Sequence, residues 1–199
     1  MKRNGVDAPG PERGLPDAAE PTPPGQLLMA MLVVYGLMTA GGYGWLAWRE
    51  RTIAIGTWAL GTHGALVAAA VGTGTGVAFF ALARLLVRYA RPFAALDGKL
   101  AALIGPLADR DAIALSVVSG AAEEFFFRCA CQDALGWVGA TLLFALGHLG
   151  GRGLYLWCLQ AACFGFVLGG LVQAGFGVLS AATAHALFNY LWLQRLTPQ

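Results

Sequence analysis

Long apolar stretches, broken by short polar or glycine-rich segments, organise this chain. A helix needs about 20 predominantly apolar residues to cross a hydrocarbon core about 30 Å thick. Such runs extend over Leu27 to Trp48, Ala65 to Val87, Asp111 to Ala134, Leu154 to Gln173 and Phe176 to Leu193, with a shorter one over Gly136 to Gly150. The pattern predicts an all-α integral membrane protein, a bundle of about six transmembrane helices. Residues 88–110 are different. They are charged, yet Phe93, Leu96, Leu100, Leu103, Ile104 and Leu107 recur at helical spacing, with Asp97 and Lys99 off that face. That arrangement predicts an amphipathic helix lying at the membrane interface. Residues 52–62 read as a connection or a short interfacial segment. Gly72, Gly74 and Gly76 in the second run, and Gly165 and Gly169 in the fifth, are small residues that admit close helix approach.

Residues 1–26 hold Pro9, Pro11, Pro16, Pro21, Pro23 and Pro24 among scattered charges, the composition of a disordered tail. The apolar run that follows starts too late for a signal peptide. Residues 27–199 then form one polytopic membrane domain. Of the whole chain 57% is hydrophobic and 12% charged, the latter about half the share of a soluble domain. The placement of basic residues bears on topology. With a cytoplasmic amino terminus, Lys2, Arg3, Arg13, Arg84, Arg88, Arg91, Lys99, Arg110, Arg152 and Arg195 lie inside, whereas Arg49 and Arg51 lie outside. Both termini are therefore expected on the cytoplasmic side of the inner (plasma) membrane. The lipid bilayer is the expected partner, and the net charge of +2 gives no reason to expect nucleic acid. Cys129, Cys131, Cys158 and Cys163 match no zinc or redox spacing and read as small buried hydrophobes.

Against this background Glu123 and Glu124 stand out as adjacent carboxylates inside an apolar helix, with Arg128 close behind. Ionisable groups in a membrane span are costly and by default functional candidates. Residues four apart share a helix face, so Glu124 and Arg128 can pair, while Glu123 points about 100° away. Phe144 and His148 have the same spacing in the fourth run, and His185 and Asn189 in the sixth. His63 lies near a membrane boundary and reads as incidental. Glu123 is twelve residues past Asp111, His185 ten before Arg195 and His148 four before Arg152. Those intervals put them about 18, 15 and 6 Å from one boundary, near enough to converge. A carboxylate, two imidazoles and a carboxamide suffice for amide hydrolysis by an activated water. Taken singly, Glu124–Arg128 reads equally as a structural ion pair and His185–Asn189 as a helix-bridging polar pair. A proton-coupled carrier would also use buried carboxylates, although no internal repeat is evident.

The order Glu-Glu-x-x-x-Arg (123–128), Phe-x-x-x-His (144–148) and His-x-x-x-Asn (185–189) resembles the CAAX protease and bacteriocin-processing family. These are glutamic-type intramembrane endopeptidases that include type II CAAX prenyl endopeptidase. The resemblance spans residues 111–193, the expected catalytic core. It implies Glu123 as general base, His148 sharing the catalytic water, and His185 and Asn189 stabilising the oxyanion. Glu124 and Arg128 would support the site as a buried pair, together with Phe144. The family has also been discussed as metalloproteases, and Glu123, His148 and His185 would then bind zinc. No H-E-x-x-H helix is present, so catalysis without a cofactor is the favoured expectation. The implied substrate is a peptide or protein embedded in or tethered to the membrane, lipidated or anchored by its carboxy terminus. The Ala/Gly-heavy, Arg-rich composition suits a bacterial source, hence precursor maturation or sorting. The competing reading is a non-catalytic membrane protein such as a bacteriocin immunity factor or a binding scaffold.

Overall fold

The computed structural model describes residues 24–52, 55–151 and 153–196. The expected disordered tail thus lies almost wholly outside the described residues, as does Arg152. The first helix, α1, runs Pro24–Trp48, so the helix begins at a proline a few residues before the expected Leu27. Proline suits a helix start, where its missing N–H costs nothing. A short α2 (Ile55–Leu60) precedes α3 (Ala65–Tyr89), and only Ala90 separates α3 from α4 (Arg91–Ile104). The next stretch is α5 (Asp109–Glu124), which passes through a π-helical segment, Phe125–Cys131, into α6 (Gln132–Gly147). Helices α7 (Tyr155–Gln173) and α8 (Gly177–Leu196) complete the bundle.

The described residues from 109 to 147 form one helical run of 39 residues. Straight, it would reach about 58 Å, nearly twice a hydrocarbon core. It is not straight: Gly136 adopts φ 73° and ψ 172°, a left-handed conformation that a side chain would resist. Glu123 and His148, 25 residues apart in sequence, come within 4.0 Å, so the chain reverses between them. The sequence placed a boundary between Ala134 and Gly136, and the break is there.

Four helices among the described residues are long and apolar enough to cross a membrane: Leu28–Trp48, Ala65–Tyr89, Asp109–Gly147 and Tyr155–Gln173. The expected six spans are therefore not all supported by length and composition. The third and fourth merge into the folded run around Gly136. Helix α8 has the length but not the apolar content, because Ser180, Thr183, His185, Asn189 and Gln194 occupy it. An all-α membrane protein is what this architecture makes, with large apolar side chains such as Leu66, Leu37 and Val34 left facing outward.

Helix α8 is the centre of the bundle, packed against α3, α5 and α7. Small residues permit this. A Cβ on Gly72 would meet the Ser180 carbonyl oxygen at 2.4 Å, one on Gly76 the Ala184 carbonyl oxygen at 2.7 Å, and one on Gly120 the Ala186 nitrogen at 2.8 Å. Gly74, grouped with Gly72 and Gly76 from the sequence, has nothing within 4 Å and faces away. Gly165 and Gly169 of α7 pack as expected, against Phe144 and Trp137. Helix α4 buries Leu96 and Leu100, while Leu103 is 64% exposed and lies off the stripe assigned to it. Of the cysteines, Cys129 and Cys131 are buried, but Cys163 is exposed on the outer side of α7, against the expectation for all four.

Polar contacts fasten the two ends. At one end Arg49 and Arg51 both hold Asp133, at 2.6 and 2.8 Å. At the other, Arg195 pairs with Asp97 and Gln194 donates to Asp109 at 2.8 Å. Since Asp97 also loses hydration, its carboxyl sits above the usual carboxylate range, with Arg84 pulling it back down. Substituting Gly72 with leucine forces side-chain atoms into the α8 backbone, an overpacking that costs about 1–3 kcal/mol. Gly72→Leu is expected to lower the unfolding midpoint in detergent by several degrees, and Gly74→Leu is expected to leave it unchanged. Thermal unfolding of the two variants checks this.

Candidate active site

Glu123 and Glu124 end α5, and the π-helical segment starts at the next residue. Such segments are rare and often lie at functional positions. Glu124 is fully buried. Its Oε2 accepts a hydrogen bond from Arg128 Nε at 2.7 Å, so the pair expected from the four-residue spacing is present. Its other oxygen, Oε1, is engaged too, at 2.8 Å from His185 Nδ1. An ionised carboxylate only accepts, so Nδ1 carries the proton and donates. This fixes the ring and leaves Nε2 as the free nitrogen. The sequence had not linked His185 to Glu124, since the contact joins residues 61 apart through the packing of α5 on α8.

Glu123 has no such clamp. Its Oε2 lies 4.0 Å from His148 Nε2, beyond direct hydrogen-bond length. His148 follows the last residue of α6, where carbonyls lack helical partners. Its Nδ1 lies 2.7 Å from one of these, the Phe144 oxygen, and must donate to it. In the neutral ring Nε2 is then an acceptor. Two acceptors 4.0 Å apart repel unless a group with two hydrogens sits between them. A water molecule has that chemistry.

Asn189 Nδ2 donates to Ser119 Oγ at 3.0 Å, and Ser119 donates to the Ser116 carbonyl at 3.3 Å. One amide hydrogen of Asn189 thus remains uncommitted. Phe144, buried to 1% exposure, is the aromatic hub. Its ring centroid lies 4.6 Å from that of His148, 5.8 Å from that of His185 and 5.1 Å from that of Phe127, with the Arg128 guanidinium 5.3 Å away. The Arg128 terminal nitrogens have no hydrogen-bond partner, and the ring face offsets part of that cost. Gly165 leaves the space: a Cβ there would meet Phe144 at 2.8 Å and Arg128 at 3.4 Å.

His148, His185, Asn189 and Phe144 line a cavity with Trp157, Gln160, Ala161, Phe164 and Phe188, of about 50 Å³. That volume admits a few waters and no peptide. Four of the missed residues come from α7, where Trp157 stands edge-on to His148 at 5.1 Å and Phe164 to His185 at 5.6 Å. Ser119 was missed as well. Aromatic residues and serines scattered through apolar helices carry no spacing signal that would single them out. Among the described residues no three His, Cys, Asp or Glu side chains are gathered to hold a metal ion.

An all-α membrane bundle with a buried carboxylate pair and two oriented imidazoles gathers ionisable groups where they are costly, which marks this place as a candidate site. Residues 110–191 match the family described as Rce1-like, type II CAAX prenyl endopeptidase Rce1-like. The match covers less than half of the chain and takes in all three motifs. It bears out the resemblance drawn from them and supports a CAAX-type protease of the membrane. No curated protein and no solved structure matches the chain.

Arg128→Ala strands the Glu124 carboxylate in the core without its cation, which costs about 3–5 kcal/mol. The double variant Glu124→Leu/Arg128→Met strands neither charge and is expected to unfold at a higher temperature than Arg128→Ala. Glu123→Gln, by contrast, is expected to melt close to the parent protein, because Glu123 has no buried cation to abandon. Unfolding midpoints of the three in one detergent test the division of roles.

Proposed function

We propose that this protein is an intramembrane endopeptidase in which Glu123 activates a water for attack on a peptide carbonyl. The observation that carries the reading is the 4.0 Å interval between Glu123 Oε2 and His148 Nε2, a spacing that one shared water can bridge. Glu123 takes a proton from that water as its oxygen bonds to the carbonyl carbon. The oxyanion that forms is met by the free amide hydrogen of Asn189 and by His185 Nε2. Donation from Nε2 requires the imidazolium, because Nδ1 is committed to Glu124, and the Glu123 charge acts on the same ring. The C–N bond then breaks, and the proton held by Glu123 passes to the departing amine. Glu124 and Arg128 take no part in these transfers and hold His185 in place.

The proposed substrate is a peptide tethered to or embedded in the membrane, cut near a lipidated or anchored carboxy terminus. The cavity is too small for a peptide, so the scissile segment would have to enter by separating the elements that line it. A bacterial role in precursor maturation or sorting, at the inner membrane with both termini cytoplasmic, is part of the same proposal. The family match supports a CAAX-type membrane protease, the expected bias of basic residues supports cytoplasmic termini, and the Ala/Gly-heavy, Arg-rich composition supports the bacterial role.

The test uses purified full-length protein in vesicles with two fluorogenic probes, a prenylated CAAX peptide and an unlipidated carboxy-terminal anchor helix. At least one is expected to be cleaved. Glu123→Gln should lower kcat by about 10²–10⁴, the usual contribution of a general base. Cleavage of neither probe, or full activity in Glu123→Gln, contradicts the proposal.

A further inference from the structure

Helix α7 carries none of the three motifs, yet its interior holds an amide. From Leu156 to Val172 every residue is apolar, glycine or cysteine except Gln160. The helix is long and apolar enough to cross a membrane. Within such a span a polar side chain is costly unless another group meets it. Gln160 is half-buried, and among the described residues no protein group hydrogen-bonds to its carboxamide. The amides of Gln132, Asn189 and Gln194 differ: each donates to a protein oxygen, at 3.1, 3.0 and 2.8 Å.

Trp157, Gln160, Ala161 and Phe164 follow the i, i+3, i+4, i+7 stripe of one helix face, and all four line the cavity with His148, His185 and Asn189. Trp157 stands edge-on to His148, and Phe164 edge-on to His185. Gln160 lies between those two rings, about 4.5 Å along the helix axis from Trp157 and about 6 Å from Phe164. Its amide therefore belongs to the stretch of cavity wall that runs from one imidazole to the other.

A carboxamide donates and accepts side by side, the same pattern as a peptide unit. In an extended chain the N–H and C=O of one residue point to the same side, where such a group can meet both. In the proposed reaction the oxyanion takes its hydrogen bonds from His185 and Asn189, both on α8. Gln160 stands on another helix and is left for the rest of the substrate backbone. On the reading of this cavity as a peptidase site, we infer that Gln160 binds the substrate, accepting from the N–H and donating to the C=O of one residue near the scissile bond. Such contacts are made in the ground state and the transition state alike, so they act on KM and leave kcat alone.

The experiment measures kcat and KM in vesicles on whichever probe the parent protein cleaves, alongside unfolding midpoints, for Gln160→Met, Glu123→Gln and a control, Gln173→Met, at the exposed end of α7. Methionine keeps the reach of the side chain and removes the amide. Gln160→Met is expected to raise KM about tenfold, the order of two neutral hydrogen bonds, with kcat and midpoint unchanged. Gln173→Met is expected to change none of these. In a second series of probes each peptide bond near the scissile one is replaced in turn by an ester, which has no N–H. One replacement is expected to raise KM about tenfold in the parent protein and to add nothing in Gln160→Met. Parental KM in Gln160→Met, a defect confined to kcat or to the midpoint, or ester effects that all add fully to that of the variant, overturns the inference alone. Gln160→Leu repeats each measurement where Gln160→Met does not fold, and failure of both to fold overturns it too, since the amide is then structural. No cleavage of either probe by the parent protein, or full activity in Glu123→Gln, overturns the reading beneath it.

Discussion

The site depends on one buried carboxylate. Glu124 is fully enclosed, and its two oxygens are taken by Arg128 at 2.7 Å and His185 at 2.8 Å. Removing a carboxylate from water without compensation costs several kcal/mol, so this arrangement persists only while both partners are in place. The consequence is geometric. Arg128 sits on the same helical run as Glu124, and His185 on α8, so the interaction pins α8 to the motif helix from inside. The close approach of Gly120 to Ala186, the neighbour of His185, lets the helices come near enough for it. The ring of His185 is thereby turned so that one nitrogen is spent and the other faces the cavity.

Glu123, next to it in sequence, is left without a cation and with a water-sized interval to His148. Two adjacent carboxylates in one helix thus occupy opposite situations, one saturated and one poised. Phe144 keeps these parts in register, since its ring touches both histidines and the guanidinium, while its carbonyl orients His148. The site is assembled by α5, α6, α7 and α8, although the motifs lie on only three apolar runs.

Much of this was legible in the sequence because it is local. The Glu124–Arg128 pair follows from a four-residue spacing and survives even though the π-helical segment begins between them. The chain break at Gly136 showed as a glycine between two apolar runs. What was not legible is tertiary. The Glu124–His185 bond joins residues 61 apart, and spacing along either helix says nothing of it. Ser119 and Trp157 sit in apolar helices without periodic partners, so their place at the site emerges only from packing. The count of spans was overdrawn for a related reason: the polar residues that give α8 its role in the centre also lower its apolar content. Likewise Gly74 has the composition of a packing residue and faces outward.

The central claim, that Glu123 activates water and does not itself attack the carbonyl, is tested most directly by a single turnover in ¹⁸O-labelled water with enzyme in excess over a cleavable membrane-tethered peptide. The account predicts that the new carboxyl group of the product carries one ¹⁸O atom after the first turnover, and that the Glu123 side chain recovered by proteolysis and mass spectrometry carries none. Label appearing in Glu123 with an unlabelled first-turnover product would mean that the carboxylate attacks and forms an acyl intermediate, and would contradict it.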